Sequence, residues 1–235
     1  MQVRNLIVLV GCQLISATST ISLVTLGGII GTSMTSNKAL VTLPLSLMVV
    51  AVASTAIPAT VLMRRVGRRR GFMLASSVAS LGMFVGVIAL KQSSFVLFCV
   101  ATMMLGVNTA FTQQYRYAAA ESVTPQFVAR AISFVLLGSI GGAFLGKELV
   151  TRGEAWVAGI PYAGIMAALG MLFILQILLL SMLEEPGAHH EHDVPHSDRP
   201  LGDIIRQPVF LAAVSGGVVA YGIMTLIMTA TPLSM

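Results

Sequence analysis

The first 120 residues contain no aspartate or glutamate, and all nine acids lie at or after Glu121. Charged residues make up only 10% of the 235-residue chain, whereas a soluble domain usually carries about 25%. Hydrophobic residues reach 56% and the mean hydropathy is +0.89. A soluble core of this size has no interior large enough to hide so much apolar surface, so the bilayer is the solvent that fits. Cysteine is scarce as well. Cys12 and Cys99 sit in apolar runs without CxxC or metal-ligand spacing, which excludes a disulfide scaffold or a zinc module and leaves both as small packing residues. There is no HExxH, no Ser/His/Asp arrangement near the end of an apolar run and no dinucleotide fingerprint, so nothing points to an enzyme or to a bound cofactor. Stacking aromatics on a soluble basic domain are missing too, which argues against nucleic acid as a partner.

Long apolar runs are what the chain does have. A membrane helix needs about 20 apolar residues, and seven segments qualify, near 5–32, 39–63, 72–90, 95–115, 130–149, 157–183 and 209–230. The first is far longer than the core of a signal peptide and is interrupted by Gln13, Ser16 and Thr20, so it reads as a retained span. The fold class is therefore all-α, a polytopic membrane helix bundle. Basic residues orient it. With the N-terminus in the cytoplasm, ten of the fourteen Lys and Arg fall on the inner side, five of them in the block Arg64, Arg65, Arg68, Arg69 and Arg70. Lys38, Lys91, Lys147 and Arg152 fall outside, which satisfies the positive-inside rule. The expected location is the cytoplasmic (inner) membrane, with the lipid bilayer as the first partner.

All connections are short except one. Residues 184–208 form an acidic, Pro-containing and His-rich stretch with too few apolar residues to pack, for which disorder is the default. It divides the chain into six spans (1–183), a linker (184–208) and one further span (209–235). The sequence stops a few residues past the seventh span, so truncation is expected.

The most informative motif lies between the second and third spans: Thr60-Val61-Leu62-Met63-Arg64-Arg65-Val66-Gly67-Arg68-Arg69-Arg70. It resembles the signature G-x-L-x-D-R-x-G-R-R-R of the major facilitator superfamily (MFS), which occupies this same loop. Leu62, Arg65, Gly67, Arg68, Arg69 and Arg70 match; Thr60 replaces the glycine and Arg64 the aspartate. The plainer reading is a positive-inside stop signal. The resemblance implies an MFS-like six-helix half plus the first span of a second half, hence a secondary transporter in which two halves rock about a midplane site. In the family the aspartate is thought to pair across the halves and to cap a helix, a part Arg64 cannot play; Glu121 is the nearest replacement. The resemblance also implies that the missing C-terminal half, or a second copy, is needed.

Arg116, Glu121 and Arg130 cluster around the turn after the fourth span and are candidate gating residues, with interfacial snorkelling as the competing reading. The fifth span carries Gly138, Gly142 and Gly146 on one helical face, a stripe that lets helix backbones approach in lipid; Gly27/Gly31 and Gly82/Gly86 repeat the spacing. Gly141-x-x-x-x-Gly146-Lys147 almost spells a P-loop, but Glu148 stands where Ser or Thr would hold magnesium, and no strand precedes it. His189, His190, His192 and His196 with Glu191 and Asp193 carry suitable metal-ligand chemistry, yet a solvated tract without fixed geometry is the expected state, and no metal site is assigned.

Polar residues in membrane helices usually face the protein interior. Gln13, Ser16 and Thr20 share one face of the first span, and Asn108, Thr112 and Tyr115 one face of the fourth. Since those spans line the central cavity in the family, the six residues are the candidate substrate-cavity set, with interhelical hydrogen bonding as the plainer alternative. No carboxylate lies deep in the first six spans. Proton coupling then falls to the second half or to Glu148, or transport is uncoupled. The expected function is secondary transport of a small organic solute by alternating access, against a truncated non-transporting remnant or scaffold.

Overall fold

The computed structural model describes residues 3–35, 37, 40–153, 160–184 and 207–234. Among them there are helices and no strands. The chain divides into two compact units, Met1–Ala188 and His189–Met235. The first contains α1 (Val3–Met34), α2 (Leu43–Val66), α3 (Arg68–Lys91), α4 (Phe95–Thr112), the short α5 (Tyr115–Glu121), a 3-10 turn (Pro125–Phe127), α6 (Val128–Gly153) and α7 (Ala163–Ser181). The second contains α8 (Pro208–Ser234), the seventh expected span. Six crossings in the first unit are long and apolar enough to span a membrane, with α4 and α5 forming one and α6 with its preceding turn another. Residues 185–206 of the His-rich linker, its four histidines included, lie outside the described residues.

The expected loop between the second and third spans is a single residue. Arg64 and Arg65 form the last turn of α2, Arg68–Arg70 the first turn of α3, and Gly67 alone joins them at φ 86° and ψ 155°. Arginine is a good helix former, so the block extends both helices instead of breaking them. Gly67 turns the chain because that backbone region is open essentially to glycine only. Gly67→Ala should therefore destabilise the bundle by about 1–3 kcal/mol, read as a lowered melting temperature of the detergent-solubilised protein.

Packing follows the small residues. α1 runs along α6, α4 fits between α2 and α3, and α7 covers α3. A Cβ built on Gly138 would meet the Val10 carbonyl oxygen at 2.7 Å, one on Gly142 the Leu14 carbonyl oxygen at 2.6 Å, and one on Gly146 the Thr18 carbonyl oxygen at 2.9 Å. The glycine stripe is thus the bed in which α1 lies. Gly106 of α4 plays the same part toward α2, where its Cβ would run into the Met48 carbonyl oxygen. The near-P-loop run is continuous helix within α6.

The buried apolar residues form two clusters. One includes Leu9, Cys12, Phe72, Phe111, Tyr115, Val135 and Leu180, toward the arginine-rich end. The other includes Leu23, Leu26, Met83, Phe98, Leu105, Met166 and Phe173. On three helices a buried polar residue falls between the two, Ser76 on α3, Asn108 on α4 and Gln176 on α7, and on α1 the buried Ser16 follows Ile15 at the edge of the second cluster.

Candidate functional site

This polar layer is tied together by side chains. Ser16 Oγ donates to Gln176 Oε1 at 3.1 Å. Gln176 Nε2 donates to Ser76 Oγ at 2.8 Å and to the Tyr115 hydroxyl at 2.9 Å. The Thr112 hydroxyl lies 3.2 Å from Ser16 Oγ and 3.0 Å from the Asn108 carbonyl oxygen. Tyr115 is held edge-on against Phe72, ring centroids 4.7 Å apart. Three helices, α1, α3 and α7, and the start of α5 thus meet at Gln176, whose oxygen and both amide hydrogens are used, and α4 joins through Thr112 and Ser16. In a membrane interior such bonds join helices where the hydrophobic effect does not.

The six residues expected around a cavity separate into three groups. Ser16, Thr112 and Tyr115 come together, all buried, through Gln176. Gln13 is half-buried and donates from Nε2 to Ser139 Oγ at 2.8 Å, joining α1 to α6, and Thr20 is half-buried on α1. Asn108 is 1% exposed, and neither its Oδ1 nor its Nδ2 has a partner. Gln176 and Ser76 were not among the residues expected from the sequence. The signal for Gln176 was present: it is the one amide in an otherwise apolar α7, and an isolated polar residue in such a helix turns inward.

The arginine-rich end carries its own pairs. Arg68 bonds Glu121 through its guanidinium, so the carboxylate singled out as a replacement for the signature aspartate does meet the block. The physical reason lies in the helix ends. Arg64 and Arg65 suit the C-terminus of α2, whereas Arg68–Arg70 oppose the positive N-terminus of α3, and a carboxylate there relieves the conflict. Arg116 bonds Gln113 Oε1 at 2.7 Å and Arg130 lies 5.7 Å from the Phe127 ring centroid. The three candidate gating residues therefore have separate contacts. Arg4 pairs with Glu184, and the Asn5 side chain bonds the Glu184 backbone twice, at 2.9 and 3.1 Å, closing the start of α1 on the end of α7. Glu148 is exposed and pairs with Arg152 at 2.8 Å, one turn along α6. Among the described residues no three His, Cys, Asp or Glu side chains are grouped as a metal site would need.

Comparison with known proteins decides the family, because residues 8–234 match the Major Facilitator Superfamily. The chain belongs to the Major Facilitator Superfamily. Three relatives agree. The riboflavin transporter RfnT of Brucella anthropi is 35% identical over 99% of this chain, which covers 58% of that protein. The uncharacterized MFS-type transporter YdeG of Bacillus subtilis is 29% identical over 99% of this chain, covering 57% of its length. A second protein of that organism named in the same way, YddS, is 28% identical over 90% of this chain, covering 52%. The chain thus spans between half and three-fifths of these relatives. No solved structure gives a significant match. As a superfamily member the chain is a multi-pass membrane protein of a transporter family.

Proposed function

We propose that the protein moves a small organic solute across the cytoplasmic membrane by alternating access, with riboflavin the first solute to test. The observation that carries this reading is the polar layer between the two apolar clusters, on α1, α3, α4 and α7. Superfamily transporters bind near the bilayer midplane, and this layer puts hydrogen-bonding groups within the membrane-spanning part of the bundle. The name of the Brucella relative supplies the solute. In this reading residues 1–183 are a six-span half, 184–208 a linker and 209–235 the first span of a second half against which the six-span half rocks. The excess of arginine at the Gly67 end supports an orientation with that end and the N-terminus inside. Arg68–Glu121, Arg116 and Arg130 then lie at the inner mouth, where opening requires their contacts to change.

The test is uptake of radiolabelled riboflavin by the full-length protein in liposomes, alongside a panel of sugars, nucleosides and organic anions. Saturable uptake that unlabelled riboflavin competes away is the expected result. Absence of uptake for every solute, together with a single unchanging spin-label distance between the two halves, would sink the proposal in favour of a non-transporting scaffold.

A further inference from the structure

Among the described residues Asn108 stands apart from every other polar side chain buried in the bundle. Gln176 uses its oxygen and both amide hydrogens, and the buried serines and threonines have partners, many of them a carbonyl one turn back. The Asn108 side chain is enclosed and has none, for donor or acceptor. An unpaired buried donor or acceptor loses about 1–3 kcal/mol, so a leucine of similar volume would suit a purely structural role better. Asn108 occupies the middle of the Phe95–Glu121 crossing, four residues from Thr112, on the same helical face. Thr112 touches Ser16 of α1. The Asn108 amide therefore lies one helical turn from the contact between α1 and α4. That seam is short: α1 is packed chiefly along α6 and α4 chiefly along α2 and α3. Parting it breaks the Thr112–Ser16 contact and leaves both glycine-bedded helix pairs intact.

We propose that Asn108 reads the cyclic imide edge of the transported solute when this seam opens; the inference rests on the solute-transport reading above and names its substrate chemistry. A carboxamide presents one acceptor and one donor side by side. It forms two parallel bonds with an edge that presents a donor and an acceptor in the same spacing, as asparagine does with adenine. The flavin ring of riboflavin carries such an edge, an N–H between two carbonyls. The imide N–H donates to Asn108 Oδ1, and Asn108 Nδ2 donates to a flanking carbonyl oxygen. Uracil bases share the edge, so a uracil nucleoside is the second solute to test.

The experiment measures uptake of riboflavin and of its N3-methyl analogue, which lacks the imide hydrogen, by the full-length protein in liposomes, with unlabelled uridine as a second competitor. A bidentate pair of this kind discriminates by about 10- to 100-fold. The wild type should favour riboflavin over the methyl analogue by that factor. Asn108→Leu should lose the preference, transport riboflavin about 10- to 100-fold less efficiently, and melt at the same temperature as the wild type or higher. Competition by riboflavin alone assigns the flavin ring; competition by uridine as well assigns the imide edge as the recognised unit. Equal transport of the two flavins by the wild type overturns the proposal while leaving transport standing, and so does a preference that survives in Asn108→Leu or Asn108→Ala. If the wild type transports other solutes but neither flavin nor uridine, the imide reading fails; if it transports nothing, the transport reading fails first.

Discussion

Gly142→Leu will yield no folded protein, and Gly142→Ala will melt well below the wild type. The built Cβ at Gly142 stands 2.6 Å from both the Leu14 carbonyl oxygen and the Ala17 Cβ, and 2.9 Å from the Thr18 backbone nitrogen. Two of these three atoms belong to the backbone of α1, so no side-chain rotation relieves the clash; α1 and α6 must move apart. A gap of about 0.5–1 Å forfeits roughly a quarter to a half of the dispersion attraction of each contact it opens. Gly138 and Gly146 are seated on the same helix, so the loss spreads along the whole seam. For alanine the cost is about 1–3 kcal/mol, the usual range for overpacking; leucine adds a branched side chain for which no space exists. Gly28→Ala is the control. Nothing lies within 4 Å of its built Cβ, and alanine is the better helix former by about 0.5–1 kcal/mol. Size-exclusion profiles and melting curves of fluorescent fusions separate the outcomes. A Gly142→Leu protein that elutes and melts like the wild type would show that the α1–α6 packing is wrong.

Gln176→Leu will lower stability by about 2–4 kcal/mol. The substitution removes three interhelical bonds at once, to Ser16, Ser76 and Tyr115, in a place where Gln176 itself is 0% exposed. Bonds of this type in membrane proteins average about 0.6 kcal/mol, and groups left buried without a partner add about 1–3 kcal/mol. Ser76 keeps its bond to the Phe72 carbonyl at 2.9 Å and Ser16 its contact with Thr112, which keeps the loss below the sum of three full penalties. Tyr115→Phe in the Gln176→Leu background should then cost less than Tyr115→Phe in the wild type, because the bond it deletes is already gone. A double-mutant cycle on melting free energies measures this coupling. Additive effects would mean that Tyr115 and Gln176 do not share a bond.

How far the candidate site was legible in the sequence depended on what kind of signal each residue gave. The spans were legible because hydropathy over about 20 residues is a local property of the chain. Helix ends were less so. Arg68–Arg70 read as a loop because charge marks the membrane boundary, but a charged residue at the boundary can still be helical. The glycine stripe on α6 was visible as spacing, and its partner α1 was not. Ser16, Thr112 and Tyr115 were visible as polar residues on inward faces, but the bonds that tie them to Gln176 and Thr112 to Ser16 cross between helices far apart in the chain. Ser16 and Gln176 are 160 residues apart, and no local pattern reveals that separation closing.

By itself, the sequence determined that this protein spans a membrane as a helical bundle, because an apolar chain in lipid must satisfy its backbone within each segment. It also located the connection between the second and third spans in the arginine block, which the structure narrowed to Gly67 alone. Only the tertiary structure decided which helices touch, that Gln176 is the centre of the polar layer, that Glu121 meets Arg68, and that Asn108 is, among the described residues, the buried amide without a partner. Those facts depend on which faces meet once the helices assemble, and that is settled by the joint fit of small residues and hydrogen-bonding groups from helices distant in the chain.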